Sequence, residues 1–239
     1  MVICLIEIII GIMIPLLGTI LGSAFVFLMN KNICDNVAKF ISGLAAGVML
    51  AASIWSLIIP AIDLSNGNPI PTLIGFIIGM LFLLVIDKKL KSNNKIDMLN
   101  LSVVIHNVPE GLSVGVAIAG ALTGNTIVMT SAILLSIGIG LQNIPEGSII
   151  SLNSLTKKSK IKAFIDGVLS GVVEPIASVI AIFLIVFITP LMPYLLSFAA
   201  GSMIFVCVNE LIPNCKGPSG IIGITIGFSI MMILDVLLG

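Results

Sequence analysis

The chain has 239 residues, of which 58% are apolar and 9% charged, and its formal net charge is zero. A water-soluble domain of this size does not stay in solution with that balance, so a soluble fold is excluded and an all-α integral membrane protein is expected.

Apolar runs of about 20 residues, long enough to cross roughly 30 Å of hydrocarbon, predict eight transmembrane helices. They fall at about 3 to 29, 36 to 62, 70 to 87, 99 to 121, 126 to 152, 161 to 188, 191 to 213 and 218 to 238. The connections are too short to hold a soluble domain, so residues 1–239 read as a single transmembrane domain and the function must lie in the helices. Helix 1 has no basic flank and no small-residue cleavage site, and is read as retained.

Lysines set the orientation, because short cytoplasmic loops keep Lys and Arg while translocated ones avoid them. The chain has no arginine. With eight helices, Lys31 and Lys39 flank the first loop, Lys88, Lys89, Lys91 and Lys95 the third, Lys157, Lys158, Lys160 and Lys162 the fifth, and Lys216 the seventh. All fall on one face, which makes that face cytoplasmic and places both termini outside. Glu7, Asp63 and Asp235 then mark the outer helix ends, an acidic face that would concentrate cations. Cys4, Cys34, Cys207 and Cys215 show no CxxC spacing and are expected to be free thiols.

Three carboxylates stand near the middle of predicted helices: Glu110 in helix 4, Glu146 in helix 5 and Glu174 in helix 6. An ionised carboxylate inside a span is expensive and marks a functional site facing the bundle interior or a watery cavity. With no arginine in the chain, these three are expected to carry protons or to bind a mobile cation.

The first two acids belong to a repeated motif, "HNVPEG" at 106–111 and "QNIPEG" at 142–147, sharing Asn-x-Pro-Glu-Gly. On a helix His106, Asn107 and Glu110 share one face, and Gln142, Asn143 and Glu146 repeat that geometry. Pro109, Pro145 and Pro175 each free a backbone carbonyl one turn back, which predicts kinks lining one cavity. Imidazole, carboxylate and amide oxygen form a ligand set for a borderline divalent metal such as Zn²⁺, Fe²⁺ or Mn²⁺. Two helices of opposite direction carrying one motif at one depth fit an inverted-repeat transporter, whose substrate sits at the repeat interface.

With "GVMLAASIWSLIIPAID" in helix 2, "SGVVEPIAS" in helix 6 and "NELIP" in helix 7, these motifs make the whole chain resemble the ZIP family of divalent metal transporters, of the short prokaryotic GufA-like kind. The resemblance implies eight helices with both termini outside and a mid-membrane metal site between helices 4, 5 and 6. It implies one metal position on His106, Glu110, Gln142 and Glu146, and a second on Asn107, Asn143 and Glu174 with both other glutamates bridging. Some relatives have aspartate where this chain has Asn143, so the number of ions stays open. Met49, Ser56 and Asp63 would line the outer entrance and Glu210 the inner exit. Helices 1, 4, 5 and 6 would move as a unit against helices 2, 3, 7 and 8.

Two departures from the family pattern stand out. The loop "DKKLKSNNKID" has no histidine, so metal sensing there is not expected, and Asn209 stands where relatives often have histidine. The expected activity is uptake of a divalent transition metal, zinc first and iron, manganese or cadmium next, across a plasma membrane, a prokaryotic inner membrane in this kind of relative. A metal-selective channel shares every residue and differs in kinetics. A membrane-embedded metal hydrolase is disfavoured because neither HExxH nor GxSxG occurs, so no enzyme is expected. Expected partners are divalent metal ions, the lipid bilayer and, by the resemblance, a second copy in a homodimer. No nucleic acid and no organic cofactor is expected.

Overall fold

The computed structural model describes residues 2–29, 35–90, 98–122 and 129–238. Among them there is no strand, and eight helices are long and apolar enough to cross a membrane. They are helix 1 (Leu5–Phe27), helix 2 (Asp35–Leu64), helix 3 (Pro69–Lys89), helix 4 (Val103–Leu122), helix 5 (Met129–Leu155), helix 6 (Lys160–Phe183), helix 7 (Ile185–Asn214) and helix 8 (Pro218–Leu237). Lys31, Lys91, Lys95 and Cys34 lie outside the described residues, as does the side chain of Cys4; Cys207 and Cys215 are buried free thiols.

The helices gather into two compact units. One comprises residues 1–27, 107–192 and 237–239, and the other residues 28–106 and 193–236. Helices 1, 5 and 6 fall in the first, and helices 2, 3, helix 7 from Pro193 onward and nearly all of 8 in the second. The boundary crosses helix 4 between His106 and Asn107, within a helix that runs unbroken from Met98 to Leu122.

In the first unit helix 1 lies along helix 5. Apolar association drives little in lipid, so close backbone approach and hydrogen bonds must hold the pair. Gly18 and Gly22 permit it: a Cβ at either would stand 1.9 Å from the Gly140 carbonyl oxygen or 2.0 Å from that of Ile144. The Ser148 hydroxyl, from helix 5, donates to the Gly22 carbonyl at 3.0 Å. Beside this seam Ile12, Val114, Ile118, Ala132 and Ile139 form a buried apolar cluster. The Phe27 and Phe164 rings, 5.2 Å apart, join the ends of helices 1 and 6.

In the second unit Trp55 of helix 2 meets Phe228 of helix 8 edge-on at 5.5 Å, and Phe82 of helix 3 meets Phe198 of helix 7 at 5.5 Å. Helices 2 and 7 share a feature the sequence did not predict. Each contains a π turn, Ser53–Ile58 and Cys207–Leu211, closed by a bond from the Ile59 N–H to the Ile54 carbonyl and from the Ile212 N–H to that of Cys207. Both turns end two residues before a proline, Pro60 and Pro213. Proline has no N–H to give and clashes with the carbonyl four residues back, so widening the preceding turn relieves the strain that would otherwise kink the helix.

The sequence expected helix 6 to run to about 188, but helical geometry stops at Phe183, where Leu184 adopts φ −109° and ψ 23°. The next helical segment starts at Ile185. The apolar run continues through this turn, so hydropathy has nothing to register there. Helix 6 is also interrupted at Val172, dividing Lys160–Gly171 from Val173–Phe183, as expected where Pro175 leaves the Gly171 carbonyl without its N–H. Helices 4 and 5 instead pass through Pro109 and Pro145 without a break.

Gly18→Ala is expected to lower the thermal melting temperature of purified protein in detergent, an overpacking cost of about 1–3 kcal/mol. Gly138→Ala, where a Cβ meets nothing within 4 Å, is expected to leave it unchanged or raise it.

Candidate metal centre

Helix 4 presents His106, Asn107 and Glu110 on one face and helix 5 presents Gln142, Asn143 and Glu146 on one face, because both helices keep α geometry through their prolines. All six are at most 1% exposed, and Glu174 of helix 6 is fully buried. Burial of so many polar groups at one depth is costly unless they satisfy one another or hold a ligand.

One ligand atom each from His106, Glu110 and Glu146 lies within 4.8 Å of the others. Two atoms each bonded to zinc at about 2.1 Å are at most about 4.2 Å apart, so small side-chain rotations would close this trio on one ion. His106 stands at the edge of its unit, but the unbroken helix 4 fixes it one turn from Glu110.

Amides tie the carboxylates together. The Gln142 Nε2 donates to Glu110 Oε1 at 2.7 Å. Asn107 Nδ2 donates to Glu174 Oε1 at 3.0 Å and to the Ser170 carbonyl at 3.1 Å. Asn143 Nδ2 donates to Glu174 Oε2 at 2.7 Å and to the Pro15 carbonyl at 3.3 Å. Among the described residues the side-chain oxygens of Asn107, Gln142 and Asn143 are buried and accept no hydrogen bond. Buried acceptors without donors are groups that a bound cation would satisfy.

The glycine that ends the first motif has a role of its own. A Cβ on Gly111 would lie 2.4 Å from the Glu174 carbonyl oxygen, so only glycine lets helix 6 bring that acid against helix 4. The Ser178 hydroxyl, one turn further along helix 6, donates to the Gly111 carbonyl at 2.8 Å and holds the approach.

The structure thus brings together His106, Asn107, Glu110, Gln142, Asn143, Glu146 and Glu174. Met49, Ser56, Asp63 and Glu210 belong to the second unit. Met49 is buried, Asp63 is exposed near the end of helix 2, and Ser56 and Glu210 sit in the two π turns. The Ser56 hydroxyl donates to Asp235 Oδ1 of helix 8 at 2.6 Å, and Asn209 Nδ2 to Glu210 Oε1 at 2.8 Å. Sequence reasoning missed helix 1 as part of the centre. Its signal was Pro15, a mid-helix proline with no acid beside it, whose carbonyl takes the Asn143 amide.

Residues 91–235 match the family model described as ZIP Zinc transporter. Zinc transporter ZIP11 of Homo sapiens is 34% identical over 61% of this chain and 44% of its own length. Zinc transporter ZIP11 of Xenopus tropicalis is 31% identical over 94% of this chain and 97% of its own length. Zinc transporter GufA of Myxococcus xanthus is 29% identical over 82% of this chain and 85% of its own. With a duplicated Asn-x-Pro-Glu-Gly motif, eight apolar helices, a buried trio of metal-ligating side chains and the family match over most of its length, the chain belongs to the ZIP zinc transporter family.

Proposed function

We propose that the protein carries divalent transition-metal ions across a membrane, zinc first and iron, manganese or cadmium as further cargo. The observation that carries this reading is the buried trio His106, Glu110 and Glu146, one imidazole and two carboxylates with ligand atoms within 4.8 Å of one another. Such a set suits a borderline divalent ion far better than Na⁺ or K⁺. Gln142, bonded to Glu110, completes the first position. Asn107 of helix 4 and Asn143 of helix 5 adjoin it and both bond Glu174 of helix 6.

The path runs from an outer entrance at Met49, Ser56 and Asp63 to an inner exit at Glu210. Transport is inward, into the cytoplasm of a cell whose plasma membrane, a prokaryotic inner membrane, holds the protein as a homodimer with both termini outside. The direction and the dimer rest on the family, and the termini on the lysines as well. Helices 1, 4, 5 and 6 carry the site past the other four. Carboxylates buried without metal need protons or another cation, so loss of the ion is coupled to cation or proton entry.

The test is radioactive zinc uptake into proteoliposomes of purified protein, with unlabelled Fe²⁺, Mn²⁺ and Cd²⁺ as competitors. Saturable uptake is expected, and Glu110→Ala or Glu146→Ala should abolish it; either variant transporting at the parent rate sinks the site assignment. Gln142→Ala, which removes the donor to Glu110, is expected to weaken zinc binding about 10-fold or more by calorimetry. For topology, a cysteine replacing Lys157 should react only with a thiol reagent on the cytoplasmic side. Labelling from outside would reverse the orientation.

A further inference from the structure

The family resemblance implies a second metal position on Asn107, Asn143 and Glu174, but the hydrogen bonds around Glu174 tell against one. Both carboxylate oxygens are taken, Oε1 by the Asn107 amide at 3.0 Å and Oε2 by the Asn143 amide at 2.7 Å. Each amide also uses its remaining N–H, Asn107 on the Ser170 carbonyl and Asn143 on the Pro15 carbonyl. The orientation of both side chains is therefore fixed twice over. To face a cation beside Glu174, either would have to turn its oxygen inward and abandon a backbone acceptor as well as the carboxylate. Unturned, each presents the positive end of its N–H dipoles to that position. Glu174 is also not part of the trio whose ligand atoms cluster within 4.8 Å.

Resting on the transporter reading above, we propose that this chain holds one metal ion, on His106, Glu110 and Glu146, and that Glu174 is a positioning residue clamped by two amides, not the ligand of a second ion. Its work is done through the amides. By taking their N–H groups it fixes the faces of helices 4 and 5 that carry the trio, and it turns the oxygens of Asn107 and Asn143 away from itself. Both oxygens are buried and accept no hydrogen bond. An aspartate at position 143 would lose both N–H groups and add a charged oxygen, opening the position that the amide closes.

The experiment is the zinc-to-protein ratio of full-length protein in lipid nanodiscs, by equilibrium dialysis and elemental analysis. The parent is expected to bind one zinc. Glu174→Gln should still bind one, with affinity lower by about 10–100-fold, the effect typical of a group that orients ligands. Asn143→Asp should bind two. Two zinc ions on the parent, or a count that drops by one in Glu174→Gln, would overturn the inference, as would a single ion on Asn143→Asp. Glu146→Gln separates the two readings. If the parent binds two ions and Glu146→Gln loses both, the transport site stands and this inference falls; if Glu146→Gln binds as the parent does, both fall. Should Glu174→Gln fail to fold, the ratio on the parent alone decides.

Discussion

Three carboxylates must be held at membrane depth by a chain that contains no arginine and keeps its lysines at helix ends. A buried anion left alone costs several kcal/mol or gives up its charge, so the centre of this protein is organised around supplying each acid with partners. Glu174 receives two amides from two different helices. Glu110 receives one, from Gln142. Glycine at 111 and the hydroxyl of Ser178 exist to let helix 6 come close enough for these bonds to form. The polar centre dictates the packing around it.

The two copies of the motif are alike in spacing and unlike in task. Asn107 and Asn143 both donate to Glu174 and to a backbone carbonyl, that of Ser170 on helix 6 for the first and that of Pro15 on helix 1 for the second. The first residues differ: His106 offers a ring nitrogen to the metal trio, whereas Gln142, at the equivalent place, spends its amide on Glu110. A symmetric framework of asparagines thus carries an asymmetric set of candidate ligands. One histidine is enough because its counterpart orients a carboxylate.

Much of this was legible in the sequence. Helix number follows from hydropathy, because crossing hydrocarbon demands runs of a fixed length, and the seven residues of the centre follow from polar groups placed where none is tolerated without purpose. Less legible were events inside the helices. The turn at Leu184 lies within a continuous apolar run, so no change of composition marks it. Pro109 and Pro145 leave their helices unbroken while Pro175 accompanies a break, and nothing in the local residues separates these outcomes, which depend on what each helix packs against. The contribution of Pro15 is a backbone carbonyl, and backbone groups carry no side-chain signature.

The paired π turns change how helices 2 and 7 must be read along their length. A π turn holds one residue more than the α turn it replaces, and each residue of an α-helix advances about 100° around the axis. Side chains beyond Ile58 and Leu211 are therefore rotated by about that angle from where an uninterrupted helix would put them. Loss of one residue within Ser53–Ile58 would restore regular winding at that point, so each turn is a place where this chain can shed a residue without breaking its helix.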